Sequence, residues 1–326
     1  MSATPRPTVF VTRGIPLRAA DLLREHVDLR VWSQERDMTP EEIRQAVPGI
    51  HGLLVHPPTR VDEAILDAAG PQLKVVGTMS VGLDHIDLSE CASRKIAVGY
   101  TPDVLTDAAA ELTVALTLST CRRFKEAFDA VVNGGWGTWD NAQYLCGKEV
   151  KNSVIGIVGM GRIGFATAQR LKAFKPSRIL YSGNSPKEYA KELDAEYVTF
   201  DDLLRESDFV IICLSVNPGN VGLFNAEAFK KMKKSAIFIN TSRGVVVNQD
   251  DLYKALTLGQ IYAAGLDVTT PEPLPQDNPL LTLPNVIITP HIGSATERAR
   301  GAMAELTAKN ILAGIKGDPL PSPVQM

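Results

Sequence analysis

V-I-G-I-V-G-M-G-R-I-G, Val154 to Gly164, is the stretch whose reading decides the fold. Its first five residues are apolar or small, the composition of a buried parallel strand. Gly159-Met160-Gly161-Arg162-Ile163-Gly164 follows at once, and Phe165–Phe174 continues with the apolar spacing of a helix. Strand, tight turn and helix give each glycine a steric reason. Gly159 makes the turn, Gly161 lets the backbone approach a pyrophosphate, and Gly164 allows the helix to pack closely on the strand. The unsatisfied amides at the start of the helix would face the phosphates. A bare G-x-G-x-x-G is also compatible with a structural glycine turn; the flanking strand and helix favour a dinucleotide site.

Outward from that stretch, composition sets the limits. A chain of 326 residues suggests roughly two domains, and 44% hydrophobic with 22% charged residues is an ordinary globular balance. A net charge of -3 provides no basic stripe for nucleic acid. Lys230, Lys231, Lys233 and Lys234 are explained by a solvated helix face. Cys91, Cys121, Cys146 and Cys213 lack C-x-x-C spacing and histidine pairs, which suggests neither a metal site nor a disulfide framework, and a reducing compartment fits. Met1–Pro7 has no apolar signal core, and no apolar run approaches the roughly 20 residues of a membrane span. The expectation is a soluble cytoplasmic protein without membrane or nucleic-acid partners.

Ahead of the fingerprint, strand-like runs at Val9–Thr12, Leu29–Trp32, Gly52–His56, Lys74–Thr78 and Ile96–Gly99 alternate with helical stretches at Leu17–Arg24, Pro40–Ala46, Asp62–Ala69 and Leu88–Ser93. They predict a small parallel sheet wrapped by helices, with no glycine fingerprint of its own. Asp103–Arg123 reads as one long helix crossing between domains, on which Cys121 is packed. The Asn133–Trp139 segment, N-G-G-W-G-T-W, carries two tryptophans that call for a docking partner, with a second subunit the natural candidate. From Val154 to Thr289 a second alternation predicts a doubly wound sheet, whose ligands lie beyond the carboxyl ends of its strands. Ala295–Ile315 reads as a helix returning to the first domain. The expected fold class is α/β, with two doubly wound parallel-sheet domains: a Rossmann-type cofactor domain and a smaller flavodoxin-like substrate domain.

Four strand ends carry chemistry. After Ile179–Tyr181 an NAD site would place an acid to accept from the ribose 2′-hydroxyl, but this chain has Ser182-Gly183-Asn184-Ser185-Pro186-Lys187. Ser182, Asn184 and Ser185 can donate hydrogen bonds to a 2′-phosphate and Lys187 adds charge, so NADPH is expected over NADH, with NADH as a weaker alternative. The other reading is an ordinary polar turn. Arg243, in N-T-S-R-G after Ile237–Ile239, can grip a carboxylate as a planar fork. Asp267 ends the Gly265–Val268 strand, with Glu272 in the following Pro-rich turn, and His291 follows the Val286–Thr289 strand. A lone histidine after a strand is commonly structural; histidine, acid and arginine on one sheet edge form a constellation.

These motifs extend nearly end to end: V-G-L-D-H at Val81–His85, T-D-A-A-A-E-L at Thr106–Leu112, G-M-G-R-I-G, N-T-S-R-G, G-L-D-V at Gly265–Val268, P-E-P at Pro271–Pro273 and P-H-I-G-S-A-T at Pro290–Thr296. The chain resembles the D-2-hydroxyacid dehydrogenase family, and within it the animal-type glyoxylate/hydroxypyruvate reductases. The resemblance implies reduction of hydroxypyruvate to D-glycerate and of glyoxylate to glycolate. Arg243, Glu272 and His291 would be catalytic, and the amides of Val81 and Gly82 would meet the substrate carboxylate. It further implies a homodimer with a dimerisation segment at 124–147, in which Trp139 reaches the partner's site. A discontinuous substrate domain would comprise 1–103 and 292–326, and the dinucleotide domain 104–291.

Strand-end placement and resemblance together give the expected sites. The cofactor would meet Gly159, Gly161, Arg162, Ile163, Gly164, Ser182, Gly183, Asn184, Ser185, Lys187, Ser215, Thr241, Asp267 and Gly293. The substrate would meet Val81, Gly82, Arg243, His291, Ser294 and Trp139, and no metal is expected. Asp267 could contact the nicotinamide carboxamide or a ring neighbour. Relatives often carry arginine after Gly183, where this chain has Asn184, and that departure weakens the NADPH argument. A histidine near its ordinary value of about 6.5 is mostly neutral at neutral pH, so Glu272 is expected to favour its protonated form. Two rivals are a nucleotide-sensing corepressor-like protein of the same fold and a dehydrogenase for another D-2-hydroxy acid. Corepressors usually carry long disordered tails, and this chain ends soon after its last helix, which favours the enzyme.

Overall fold

Parallel strands buried on both faces read as short, continuous apolar runs, and helices must cover those faces. The computed structural model, which describes residues 5–137 and 143–326, follows that rule. The chain divides into two compact units, Met1–Leu105 with Ala295–Met326, and Thr106–Ser294.

The first unit alternates β1 (Thr8–Val11), α1 (Leu17–Arg24), β2 (Asp28–Val31), α2 (Pro40–Ala46), β3 (Gly52–Val55), α3 (Glu63–Ala69), β4 (Val75–Thr78), α4 (Leu88–Ser93) and β5 (Ala97–Gly99). Its sheet has the order β2-β1-β3-β4-β5, all parallel. The helices begin where side chains can satisfy orphan amides: Thr39 and Glu42 form a capping box on α2, and Asp62 and Asp87 cap α3 and α4. Leu53, Val55, Ile65, Leu66 and Val76 fill the core between one sheet face and these helices.

The second unit opens with α5 (Thr106–Cys121) and α6 (Phe124–Val132). It continues through β6 (Val154–Val158), α7 (Arg162–Lys172), β7 (Arg178–Ser182), β8 (Ala195–Tyr197), α8 (Phe200–Glu206), β9 (Phe209–Ile212), α9 (Ala226–Lys231), β10 (Ile237–Asn240), α10 (Gln249–Thr257), β11 (Ala263–Leu266) and β12 (Val286–Ile288). The seven strands are parallel in the order β12-β11-β10-β9-β6-β7-β8. One face is packed by Phe224, Phe229 and Phe238, whose rings meet edge to face. The other is packed by Leu116, Ile155, Ile157 and Leu171. Strand order reverses around β6, so the carboxyl end of β6 lies at the topological switch point. α11 (Glu297–Lys316) belongs to the first unit, where it lies on the sheet with the Thr307 hydroxyl 3.5 Å from the carbonyl of Thr78.

Three details differ from the sequence expectation. α7 starts at Arg162 rather than Phe165, because Gly161 is its N-cap and the helix begins inside the fingerprint. The long helix read over Asp103–Arg123 ends at Cys121. Arg123 takes a left-handed conformation (φ 56°), and α6 then sets off with no residue buried. β8 is a three-residue edge strand too short to announce itself. Among the described residues no helix is long and apolar enough to cross a membrane.

Candidate active site and cofactor site

β10, β11 and β12 are neighbouring parallel strands, so the residues that follow them emerge along one edge. Asn240, fully buried at the end of β10, folds the next loop back on itself. Its Oδ1 accepts from the amide (3.0 Å) and hydroxyl (2.9 Å) of Ser242, and its Nδ2 donates to the carbonyl of Arg243 at 2.9 Å. Arg243 Nη1 donates to the carbonyl of Ser242 at 2.9 Å. At Gly244 a Cβ would sit 2.0 Å from the carbonyl oxygen of Thr269, so only glycine lets the Arg243 loop lie against the turn that carries Glu272. The side-chain amide of Gln249 clamps that turn by donating to Thr270 O (2.7 Å) and accepting from Thr270 N (2.8 Å).

Glu272 is thereby held with both oxygens engaged. Oε1 accepts from the amide of Thr269 at 2.9 Å, and Oε2 lies 2.8 Å from Nδ1 of His291. Burial pushes this carboxyl up. The His291 and Thr269 hydrogen bonds, with the charges of His291 and Arg243, outweigh burial and hold it below the ordinary carboxylate range. Glu272 is therefore a carboxylate at neutral pH, and a carboxylate on Nδ1 leaves Nε2 as the ring nitrogen that can face a reactant.

His291 sits on a backbone of positive φ (52°), uncommon for a residue with a side chain. Asp267 holds it there. With 1% exposure at the end of β11, Asp267 accepts from the Thr289 hydroxyl (2.6 Å) and Ile292 amide (2.9 Å) on one oxygen, and from the Gly293 amide (2.8 Å) on the other. Its carbonyl accepts from the amide of His291 at 2.9 Å. Burial raises the Asp267 pKa against the opposing pull of these donors.

A second edge feature is the fingerprint. Gly159 has φ 100°, and a Cβ there would lie 2.7 Å from the backbone of Leu214; at Gly164 one would lie 2.1 Å from Gly159 O. Gly161 differs, since a Cβ would meet nothing within 4 Å. The protein's own packing does not require that glycine, whereas a phosphate drawn against the start of α7 does, so these residues fit a dinucleotide.

A family model for the D-isomer specific 2-hydroxyacid dehydrogenase NAD-binding domain matches residues 114–293. The chain is 52% identical over 321 residues to human glyoxylate reductase/hydroxypyruvate reductase, covering 98% of each.

The chain belongs to the D-isomer specific 2-hydroxyacid dehydrogenases.

A Thermus thermophilus protein of known crystal structure superimposes on this dehydrogenase with TM-score 0.90 at 41% identity, covering 98% of this chain and 100% of that one. An NADPH-dependent glyoxylate/hydroxypyruvate reductase from Sinorhizobium meliloti, solved with NADP and malonate, gives TM-score 0.83 at 30% identity, covering 98% of this chain and 97% of that one.

The remaining sequence-predicted residues of the dehydrogenase are placed as follows. Arg162 and Ile163 open α7 beside Gly161. Ser182 ends β7, is 7% exposed, and accepts the amide of Gly159 on its carbonyl at 2.8 Å; Gly183, Asn184 and Ser185 are exposed. Lys187 Nζ donates to Ser185 Oγ at 3.0 Å. Thr241 shares a 2.8 Å hydroxyl hydrogen bond with Thr113 of α5, and Ser215 is exposed after β9. Ser294 closes the second unit. Val81 and Gly82 belong to the first unit, in a loop after β4 that Ser80 braces by donating to Gly82 O at 2.7 Å. Trp139 lies outside the described residues. Among the described residues no histidine, cysteine and carboxylate group is arranged to hold a metal ion.

Residue-type reasoning missed Gln249, whose clamp needs the fold to be seen, and Tyr189, whose hydroxyl donates to Met160 O inside the fingerprint at 2.6 Å. Thr289 was legible only as the end of a strand. For Asp267→Ala we expect the amides of Ile292 and Gly293 to be left unsatisfied, at about 1–3 kcal/mol each. Urea denaturation should show a loss of at least about 2 kcal/mol; a loss within about 0.5 kcal/mol would mean the carboxylate does not hold the His291 loop.

Proposed function

We propose that this dehydrogenase reduces small 2-oxo acids, hydroxypyruvate to D-glycerate and glyoxylate to glycolate, with NADPH preferred over NADH. The observation that carries the reading is the 2.8 Å His291–Glu272 pair on the sheet edge that also bears Arg243. The names of the human and Sinorhizobium meliloti relatives support the substrate class.

The nicotinamide, when bound, supplies the hydride. Arg243 presents a planar fork to the substrate carboxylate and stabilises negative charge as it develops on the carbonyl oxygen. His291 delivers the proton from Nε2 to that oxygen, becoming a neutral imidazole that keeps Nδ1–H toward Glu272. Its side chain is 40% exposed, so solvent can return the proton. Asp267 positions His291 through the loop and leaves no carboxylate oxygen without a donor. The amides of Val81 and Gly82 and the hydroxyl of Ser294 complete the substrate contacts in this reading, with the first unit as substrate domain and the second as dinucleotide domain.

We further propose that the enzyme is a cytoplasmic homodimer. Support for the dimer comes from α6 and its continuation, where Phe124, Phe128, Val131, Val132 and Trp136 are each more than half exposed. Trp139, in the same segment, would reach the partner's site. Among the described residues no disulfide joins the four cysteines, which fits a reducing compartment.

NADPH preference rests on the turn after β7. No carboxylate stands between Ser182 and Lys187, and the Lys187 ammonium is already directed at Ser185. A 2′-phosphate would meet hydroxyls, an amide and one positive charge.

In a steady-state assay with NADPH and hydroxypyruvate, Arg243→Ala should lower kcat/KM by at least about a hundredfold while cofactor binding persists, and Arg243→Lys should recover only part. Near-normal activity in Arg243→Ala would remove the carboxylate anchor from the reading. The ratio of catalytic efficiencies with NADPH and NADH should favour NADPH in the wild type and swing toward NADH in Ser182→Asp. A reversal of about tenfold each way corresponds to about 1.4 kcal/mol per cofactor. Equal use of both cofactors by the wild type, or no swing in the variant, would mean this turn does not read the 2′ position.

A further inference from the structure

The sheet of the first unit has its own switch point. Its order, β2-β1-β3-β4-β5, reverses between β1 and β3, and in open α/β sheets ligands lie beyond the carboxyl ends at that point. Arg13 follows β1 by two residues and His56 follows β3 by one, with Thr12 N donating to Leu54 O at 3.1 Å to keep the two strand ends in register. Thr59 extends the same edge, its hydroxyl 3.5 Å from that of Thr12.

α11 adds a third group. Thr307 of α11 touches the carbonyl of Thr78 at the end of β4, and Arg300 lies seven residues earlier, about two helical turns toward the carboxyl edge. There it is close enough to Arg13 for the two charges to oppose one another, and His56 feels both. Among the described residues the half-buried Arg300 guanidinium has no hydrogen-bond or ion-pair partner. His56 is 7% exposed, with a buried Nδ1 that no group among the described residues meets. An unpaired guanidinium and an unmet ring nitrogen withdrawn from water together are costly unless a ligand completes them.

The charges around them fix the kind of ligand. Arg13 is paired with Asp37. Burial pushes the His56 imidazole down to about 4, so at neutral pH it is uncharged and offers a hydrogen bond without a second positive charge. His85, the remaining neighbour, is engaged through Nε2 with the Thr78 hydroxyl at 2.9 Å. Of these described groups Arg300 is left as the uncompensated charge, which suits a single negative one, and a guanidinium fork matches two oxygens of one planar or tetrahedral group.

We propose that the carboxyl edge of the five-stranded sheet holds a pocket for one small oxyanion, a carboxylate or monoanionic phosphate. Arg300 is its fork, His56 Nδ1 a second hydrogen-bonding group and Arg13 its rim. The oxyanion has two possible sources: a free ion, or a second anionic group carried by a 2-oxo acid.

The test is isothermal titration of the full-length protein with inorganic phosphate, at a pH where the monoanion predominates, and with formate. Wild type should bind saturably, Arg300→Gln at least about tenfold more weakly, and Arg300→Lys in between. Thermal melting checks each variant's fold, and if Arg300→Gln does not fold, Arg300→Lys and His56→Asn carry the comparison. The absence of saturable binding by wild type, or unchanged affinity in folded variants, overturns the pocket. The source is read from inhibition. Phosphate that competes with oxaloacetate, but not with pyruvate, assigns the pocket to a substrate-borne carboxylate. Phosphate that binds without competing assigns it to a free ion. Binding needs no turnover, so this result stands apart from whether hydroxypyruvate is the substrate.

Discussion

The carboxylate of Asp267 is shut away from water at the end of β11, and three donors from the loop after β12 meet its two oxygens. A buried acid without such donors would be expelled or protonated, so the loop and the charge need each other. Through this contact a loop with little regular structure acquires a fixed path, and His291 takes up its left-handed backbone at a defined place on the sheet edge. Asn240 does the same for the Arg243 loop, and Gly244 lets that loop close against the Thr269–Glu272 turn. Three neighbouring strands thus present an arginine, a glutamate and a histidine side by side.

Asp267 and Glu272 show how position divides the work between two acids only five residues apart. Burial dominates at Asp267 and raises its pKa; at Glu272 hydrogen bonds and positive neighbours overcome burial and lower it. The depressed value at Glu272 means that its pairing adds stability above the ordinary carboxylate range. That stability is lost as pH falls through the folded-state value. The carboxylate on Nδ1 orients the ring and leaves Nε2 as the nitrogen that can face a reactant.

Much of this was legible in the chain. The run Val154–Gly164 predicted its strand and turn because glycine is demanded there by backbone contacts at 2.1–2.7 Å that no other residue survives. Arg243, Glu272 and His291 could be picked out because parallel strands align their carboxyl ends, so polar residues after apolar runs must share an edge. α6 was not read as a helix, since its apolar side has no core to match in the chain itself and its start depends on one left-handed residue, Arg123. Asp267 stood out as polar, but that its oxygens are engaged by the next strand's loop is a tertiary fact. The clamp by Gln249 and the isolation of Arg300 are likewise invisible to spacing, since both depend on what lies across the fold.

The central interaction of the site is the imidazole of His291 held at Nδ1 by the carboxylate of Glu272. The direct measurement is the pH profile of kcat/KM for hydroxypyruvate reduction, in the wild type and in Glu272→Gln. The amide keeps the shape of the side chain but removes the carboxylate that holds Nδ1, so the ring loses its fixed orientation and kcat/KM should fall by at least about tenfold across the profile. A variant profile that coincides with that of the wild type would contradict the account and leave Glu272 as a turn residue.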